Sequence, residues 1–151
     1  MEGMVTAIHI APGYGRPMQA VEQVEAVEGK GLRGDRYYGT RRQVTIVATG
    51  ELSAAAADLG TDRIGEGATR RNITVELPSV PRAHGTRIEI GAVALEVWRD
   101  CTPCDVMEAS VGPGARAALR DRAGVSATVV EGGVIRVGDP VRVAQPISGP
   151  S

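Results

Sequence analysis

Short runs rich in valine and isoleucine, each cut off by glycine or proline, constrain this chain more than any other feature. Gln43-Val44-Thr45-Ile46-Val47-Ala48 alternates with a period of two, the spacing of a half-buried strand. Met4–Ile10 reads as a first strand, and Asn72–Leu77 as another ended by Pro78. Thr86–Ile90 and Val93–Val97 flank Gly91-Ala92 and read as a tight hairpin. Ser126–Val130, Val134–Val137 and Val141–Val143 follow as strands, with Gly132-Gly133 and Gly138-Asp139-Pro140 in the turns between them. Val21, Val24 and Val27 recur every third residue, which suits either two helical turns or an irregular strand.

Two stretches read as helices. Glu51–Leu59 carries a run of alanines, with Thr49 expected as its N-cap and Gly60 as its left-handed terminator. Pro113–Ala123 begins with a proline tolerated in a first turn and is closed by Gly124. Thr61–Arg71 between strands reads as a polar loop. Roughly eight strands and two short helices without βαβ alternation predict a mostly antiparallel β-barrel, closed or partly open. Closure is the device that removes exposed sheet edges.

At 151 residues the chain suits one domain over 1–144, with a frayed tail over 145–151. Phenylalanine is absent and aromatics make up 3%, so Val, Ile, Leu and Ala must build the core. A net charge of −1 gives no drive toward nucleic acid or a membrane surface. No run approaches the ~20 apolar residues of a bilayer span. Two cysteines and no visible secretion leader fit a reducing, cytoplasmic setting.

Both cysteines lie in Arg99-Asp100-Cys101-Thr102-Pro103-Cys104-Asp105, at the end of an apolar alternating run. Pro103 ends strand pairing there, so the thiols are expected on a loop. Thioredoxin-like exchange calls for a helix beginning at the first cysteine, whereas the predicted helix starts about nine residues later. A structural zinc site needs four ligands, and His9 and His84 lie far off in sequence. One nucleophilic or metal-binding thiolate with an auxiliary partner remains, beside the plain alternative of two small half-buried hydrophobes. Lys30, Arg33, Arg36, Arg41, Arg42, Arg70 and Arg71 fall in two loops that precede strands. Arginine forks suit phosphate, although Asp35, Asp62 and Glu66 offset them, and on charge alone a solvated loop face is the better account. Tyr37-Tyr38 offers rings for stacking on a planar ligand, or a half-buried packing pair.

Taken together, Gly31-Leu32-Arg33-Gly34-Asp35-Arg36, Arg42-Gln43-Val44-Thr45, Asn72-Ile73-Thr74, Pro103-Cys104 and Gly132-Gly133-Val134-Ile135 through Gly138-Asp139 resemble, in order, the motifs of the MOSC domain, the molybdenum cofactor sulfurase C-terminal family. The resemblance covers residues 5–143. It implies a β-barrel that binds a molybdopterin-type molybdenum cofactor, in a stand-alone short form without an added barrel or desulfurase domain. It implies Cys104 as molybdenum ligand or persulfide carrier, and hence as catalytic residue, and leaves Cys101 without a role. Arg70 and Asn72 match its cofactor-contacting segment, although Arg70-Arg71 stands where many relatives carry Gly-Glu. Arg36, Arg70 and Arg71 are then expected at the phosphate, Gln43 and Asn72 at the pterin, and Cys104 at the metal. The implied activity is reduction of an N-hydroxylated or similar small-molecule substrate with a redox partner. The alternative is sulfur carriage fed by a cysteine desulfurase, and a homodimer would close the cleft of so small a barrel.

Overall fold

The computed structural model describes residues 1–65 and 67–143. The expected frayed tail at 145–151 lies outside the described residues. The chain runs β1 (Glu2–Ile10), β2 (Gln19–Val21), β3 (Gln23–Val27), β4 (Gly31–Leu32), β5 (Val44–Ala48), α1 (Thr49–Leu59), β6 (Ile73–Val75), β7 (Arg87–Ile90), β8 (Val93–Asp100), α2 (Asp105–Val111), α3 (Ala115–Ala118), β9 (Val125–Glu131), β10 (Gly133–Arg136) and β11 (Pro140–Val143).

The main sheet is ordered β11-β7-β8-β9-β5-β6-β1-β2, and β11 also pairs with β1. That last pairing closes seven strands into a barrel. β1 makes the closure possible by changing partners along its length. Glu2–Met4 lie against β11, Val5–Ile8 against β6, and Ile8–Ile10 against β2. β2 hangs outside the ring, and a smaller sheet β10-β3-β4 flanks it.

Inward-facing side chains from every ring strand fill the barrel, among them Val5, Ile46, Val75, Ile88, Leu95, Ala127 and Val141. Each Leu or Ile withdrawn from water there contributes about 1.5–3 kcal/mol. A second cluster lies between the outer wall and the helices, where Val47 meets Leu52, Ala55, Met107 and Leu119. β5 belongs to both clusters, so all five of its residues are buried despite their alternating sequence. The alanines of α1 are the thin layer that lets this helix lie close to α3 and the barrel.

Three local expectations need correction, and one open alternative is resolved. α1 begins at Thr49 itself; Ala48 occupies the N-cap position, and no side chain caps the helix. The Leu77 carbonyl accepts from the Gly50 N–H instead, satisfying one of the free donors of the first turn. The second expected helix is two shorter ones, because Gly112 and Gly114, at φ 135° and 85°, break the chain on either side of Pro113. β5-α1-β6 is a parallel crossover, so βαβ alternation does occur once in this otherwise antiparallel barrel. Val21, Val24 and Val27 lie on strands, with Val24 and Ala26 packed inward and paired to β10. Among the described residues no helix is long and apolar enough to cross a membrane.

Candidate functional site

Asp35 organises the loop that follows β4. Its carboxylate is buried and accepts from the Ala11 N–H at 3.0 Å, the Tyr37 N–H at 3.1 Å, the Asn72 amide at 3.1 Å and the Arg36 guanidinium at 3.1 Å. Asn72 carries the network inward: its amide also donates to the His9 carbonyl, and its oxygen accepts from the Thr45 N–H and hydroxyl. Three motifs distant in sequence are thereby pinned at one place. Gly31 permits the approach, since at φ 121° a Cβ would stand 2.8 Å from the Gln43 carbonyl oxygen. Gln43 bridges the Gly29 carbonyl and the Val129 N–H.

Above this pinned base lies a cavity of about 400 Å³, where the segments beside β1, β4, β5, β6 and β8 meet α2. Arg36, Arg42, Arg70 and Arg71 line it, together with Tyr14, Tyr37, Thr69 and Thr102. Cys104, Val106 and Met107 complete the wall. Among the described residues, no aspartate or glutamate lines it.

The arginines differ in how far they are neutralised. Arg36 is paired with Asp35, stacks 4.2 Å over Tyr37, and donates to the Arg70 carbonyl at 3.1 Å. Arg70 has φ 62°, a left-handed conformation costly for a side chain with a Cβ, and that hydrogen bond helps hold it. Its guanidinium donates to the Arg16 carbonyl at 2.9 Å. Arg71 is only 7% exposed and donates through Nε to the Ala123 carbonyl at 2.6 Å. Among the described residues, Arg42, Arg70 and Arg71 have no carboxylate within ion-pairing distance. Burial lowers the pKa of the Arg71 guanidinium, with Cys101 and Cys104 pulling the other way. For Arg42, burial also works downward, but contact with Tyr37 and the charge of the two cysteines leave its pKa raised.

The cysteines have opposite environments. Cys101 is buried, its N–H bound to the Gly124 carbonyl at 2.9 Å. Burial pushes its thiol above the ordinary value, against the pull of Arg71 and Arg42. Cys104 is exposed and free, at the residue immediately before α2. The helix therefore begins directly after the second cysteine, not about nine residues later as expected. Asp105 and Glu108 in its first turn favour that start.

Of the residues singled out in the sequence, Arg36, Arg70, Arg71 and Cys104 line the cavity, while Gln43 and Asn72 are not among its lining residues and make hydrogen bonds within the framework. Arg42, named among the loop cations, and Tyr37, named as a stacking ring, line it as well, each with a signal in the sequence. Tyr14 had none, because the turn after β1 carries no motif.

The donor set suits a molybdopterin-type group. A thiolate is a soft ligand for a metal, arginine forks suit a phosphate, and the volume falls in the range of about 300–1,000 Å³ usual for small-molecule sites. Among the described residues no three His, Cys, Asp or Glu cluster to hold a metal ion. A metal here would arrive with ligands of its own, and Cys104 would add one.

The family model of the MOSC domain matches residues 33–142. Solved structures with the same fold include the YUAD protein from Bacillus subtilis, at 20% identity and TM-score 0.81, covering 95% of this chain and 96% of that one. YiiM from Geobacillus stearothermophilus aligns at 15% identity and TM-score 0.73 over 97% of this chain and 77% of its own. YiiM from Escherichia coli aligns at 16% identity and TM-score 0.70 over 99% and 72%. No curated protein matches the sequence.

Proposed function

This chain belongs to the MOSC domain family, and from that premise we propose that it binds a phosphorylated molybdenum–dithiolene pterin in the cavity, with Cys104 as the protein's metal ligand. The observation that carries the reading is Arg71, a buried cation without a carboxylate partner among the described residues, lining the same cavity as an exposed thiol. An unpaired buried charge costs several kcal/mol, on the order of the penalty for stripping one partner from a buried pair, and an anionic ligand offsets it. When bound, the cofactor supplies two-electron redox chemistry at its metal.

The chain's own groups bind and orient. Arg42, Arg70 and Arg71 supply charge and forked donors for a phosphate. Thr69 and Thr102 offer hydroxyls along the wall, and Val106 and Met107 give it an apolar side beside Cys104. Arg36 acts through the others, since its guanidinium is committed to Asp35 and to the Arg70 carbonyl. The conversion would cleave the N–O bond of an N-hydroxylated substrate. A partner reductase supplies two electrons and solvent two protons, giving the amine and water.

Protein produced in a molybdopterin-competent host is expected to hold stoichiometric molybdenum, and Cys104→Ser to hold none. Wild-type protein without molybdenum overturns the reading. The exposure of Cys104 also favours a second reading, a persulfide delivered to an acceptor by sulfur transfer. Incubation with a cysteine desulfurase and cysteine then adds one sulfur to the wild type and none to Cys104→Ser, as read by intact mass.

A further inference from the structure

Beside the cavity lies a groove of about 370 Å³, lined by Tyr14, Tyr37, Arg41, Arg42, Trp98 and Arg99 with Thr40. Tyr14, Tyr37 and Arg42 also line the cavity, so the two spaces share a wall. The chain has one tryptophan, three tyrosines and no phenylalanine. Three of these four rings meet in this one groove, which makes their placement informative. Tyr14 is 70% exposed, an arrangement that core packing does not require. Its ring meets Tyr37 edge-on at 5.8 Å and 70°.

The cations are placed among these rings. Arg42 lies 5.5 Å over Tyr37, and Arg99 lies 4.1 Å over Trp98. Among the described residues, Arg41, Arg42 and Arg99 make no ion pair, and no carboxylate lines the groove. Aromatic rings and guanidinium planes both accept the flat face of a heterocycle, while unpaired guanidinium forks accept an anion. One ligand class uses both features: a planar aromatic ring joined to a single anionic group.

We propose that this groove is the substrate subsite, and that it takes a nucleoside monophosphate or a compound of the same build, ring against Tyr14 and Trp98 and anion against Arg41 and Arg99. The shared wall at Tyr37 and Arg42 directs the far end of such a ligand toward the cavity that holds Cys104. The catalytic meaning of the subsite rests on the function proposed above, whereas the binding does not.

Trp98, the sole tryptophan, is a built-in reporter. Titration of the purified protein with AMP, followed by tryptophan fluorescence and by calorimetry, is expected to give saturable binding. Adenosine, which lacks the anion, and inorganic phosphate, which lacks the ring, are each expected to bind at least about tenfold more weakly. The Arg41→Ala/Arg99→Ala double variant removes two exposed side chains that do not line the cavity, and its Kd is expected to rise at least about tenfold. Tyr14→Ala is expected to weaken AMP more than phosphate. Cys104→Ser should leave the AMP Kd within about twofold, so loss of molybdenum and loss of AMP binding are separate results. The proposal is overturned by an absence of saturable binding in both measurements. It is equally overturned if phosphate or adenosine matches AMP, or if the double variant matches the wild type.

Discussion

Arg71 and Arg82 are the same residue type in one small protein, and their surroundings are opposite. Arg82 donates to Glu51 at 2.7 Å, to Asp100 at 3.0 Å and to the Asp121 carbonyl, tying α1, the end of β8 and the segment after α3 together. Glu51 is itself buried and also accepts from the Val80 N–H at 3.1 Å. Arg71 is the more deeply buried of the two, yet among the described residues its one hydrogen bond to a protein acceptor goes to a carbonyl. On the helical flank the charges close upon each other, as Arg122 with Asp58 and Arg116 with Asp105 also do. At the cavity Arg36 is paired in this way, whereas among the described residues Arg42, Arg70 and Arg71 are not. Arginine number therefore says little about function in this chain; what matters is whether a carboxylate has been supplied.

The sharpest way to break the comparison is to remove the one carboxylate that does serve the cavity side. Asp35→Ala leaves the Arg36 guanidinium buried without its counter-charge and strips partners from Ala11, Tyr37 and Asn72. A loss of about 3–5 kcal/mol is expected by urea unfolding, the range for breaking a buried pair. Arg71 and Arg82 then separate stability from binding. Arg82→Ala should cost about 1–2 kcal/mol, discounted because the arginine is partly exposed, and leave molybdenum content unchanged. Arg71→Met should leave the stability of the cofactor-free protein unchanged or raise it by up to about 4 kcal/mol, because the buried charge is itself a cost, and abolish retention of the cofactor. Equal effects of the two substitutions on cofactor content would erase the distinction drawn here.

The smallest expected effect concerns the cysteines, which repeat the contrast within three residues. Burial raises the Cys101 thiol above its ordinary value of 9.0, so the folded state favours the protonated form. Its contribution to stability is complete below that value and is lost as pH rises toward the folded pKa. Wild-type stability should accordingly decline above about pH 9 more steeply than that of Cys101→Ala, as measured by urea midpoints across that range. Identical alkaline limbs would mean that the thiol is not held in its neutral form.

The barrel was largely legible in the residues, because period-two alternation and glycine or proline stops are local signals. Val44–Ala48 and the hairpin at Gly91-Ala92 read directly as strands. The crossover from β5 to β6 was not legible, since nothing local distinguishes a helix that returns in parallel from one that merely intervenes. α2 was not legible either, because Asp105–Val111 is too short to show a helical period and follows directly on the break that Pro103 signals.

The sequence by itself determined the supply of parts: one exposed-loop thiol motif, an arginine-rich pair of loops, and too few aromatics to waste. Only the tertiary structure decided their uses. It made Gln43 and Asn72 hydrogen-bonding framework, gave Arg36 a carboxylate, and among the described residues set none against Arg71. The physical reason is that the fate of a charged or polar side chain depends on which partners lie within about 3 Å, and those partners come from segments that no window of sequence contains.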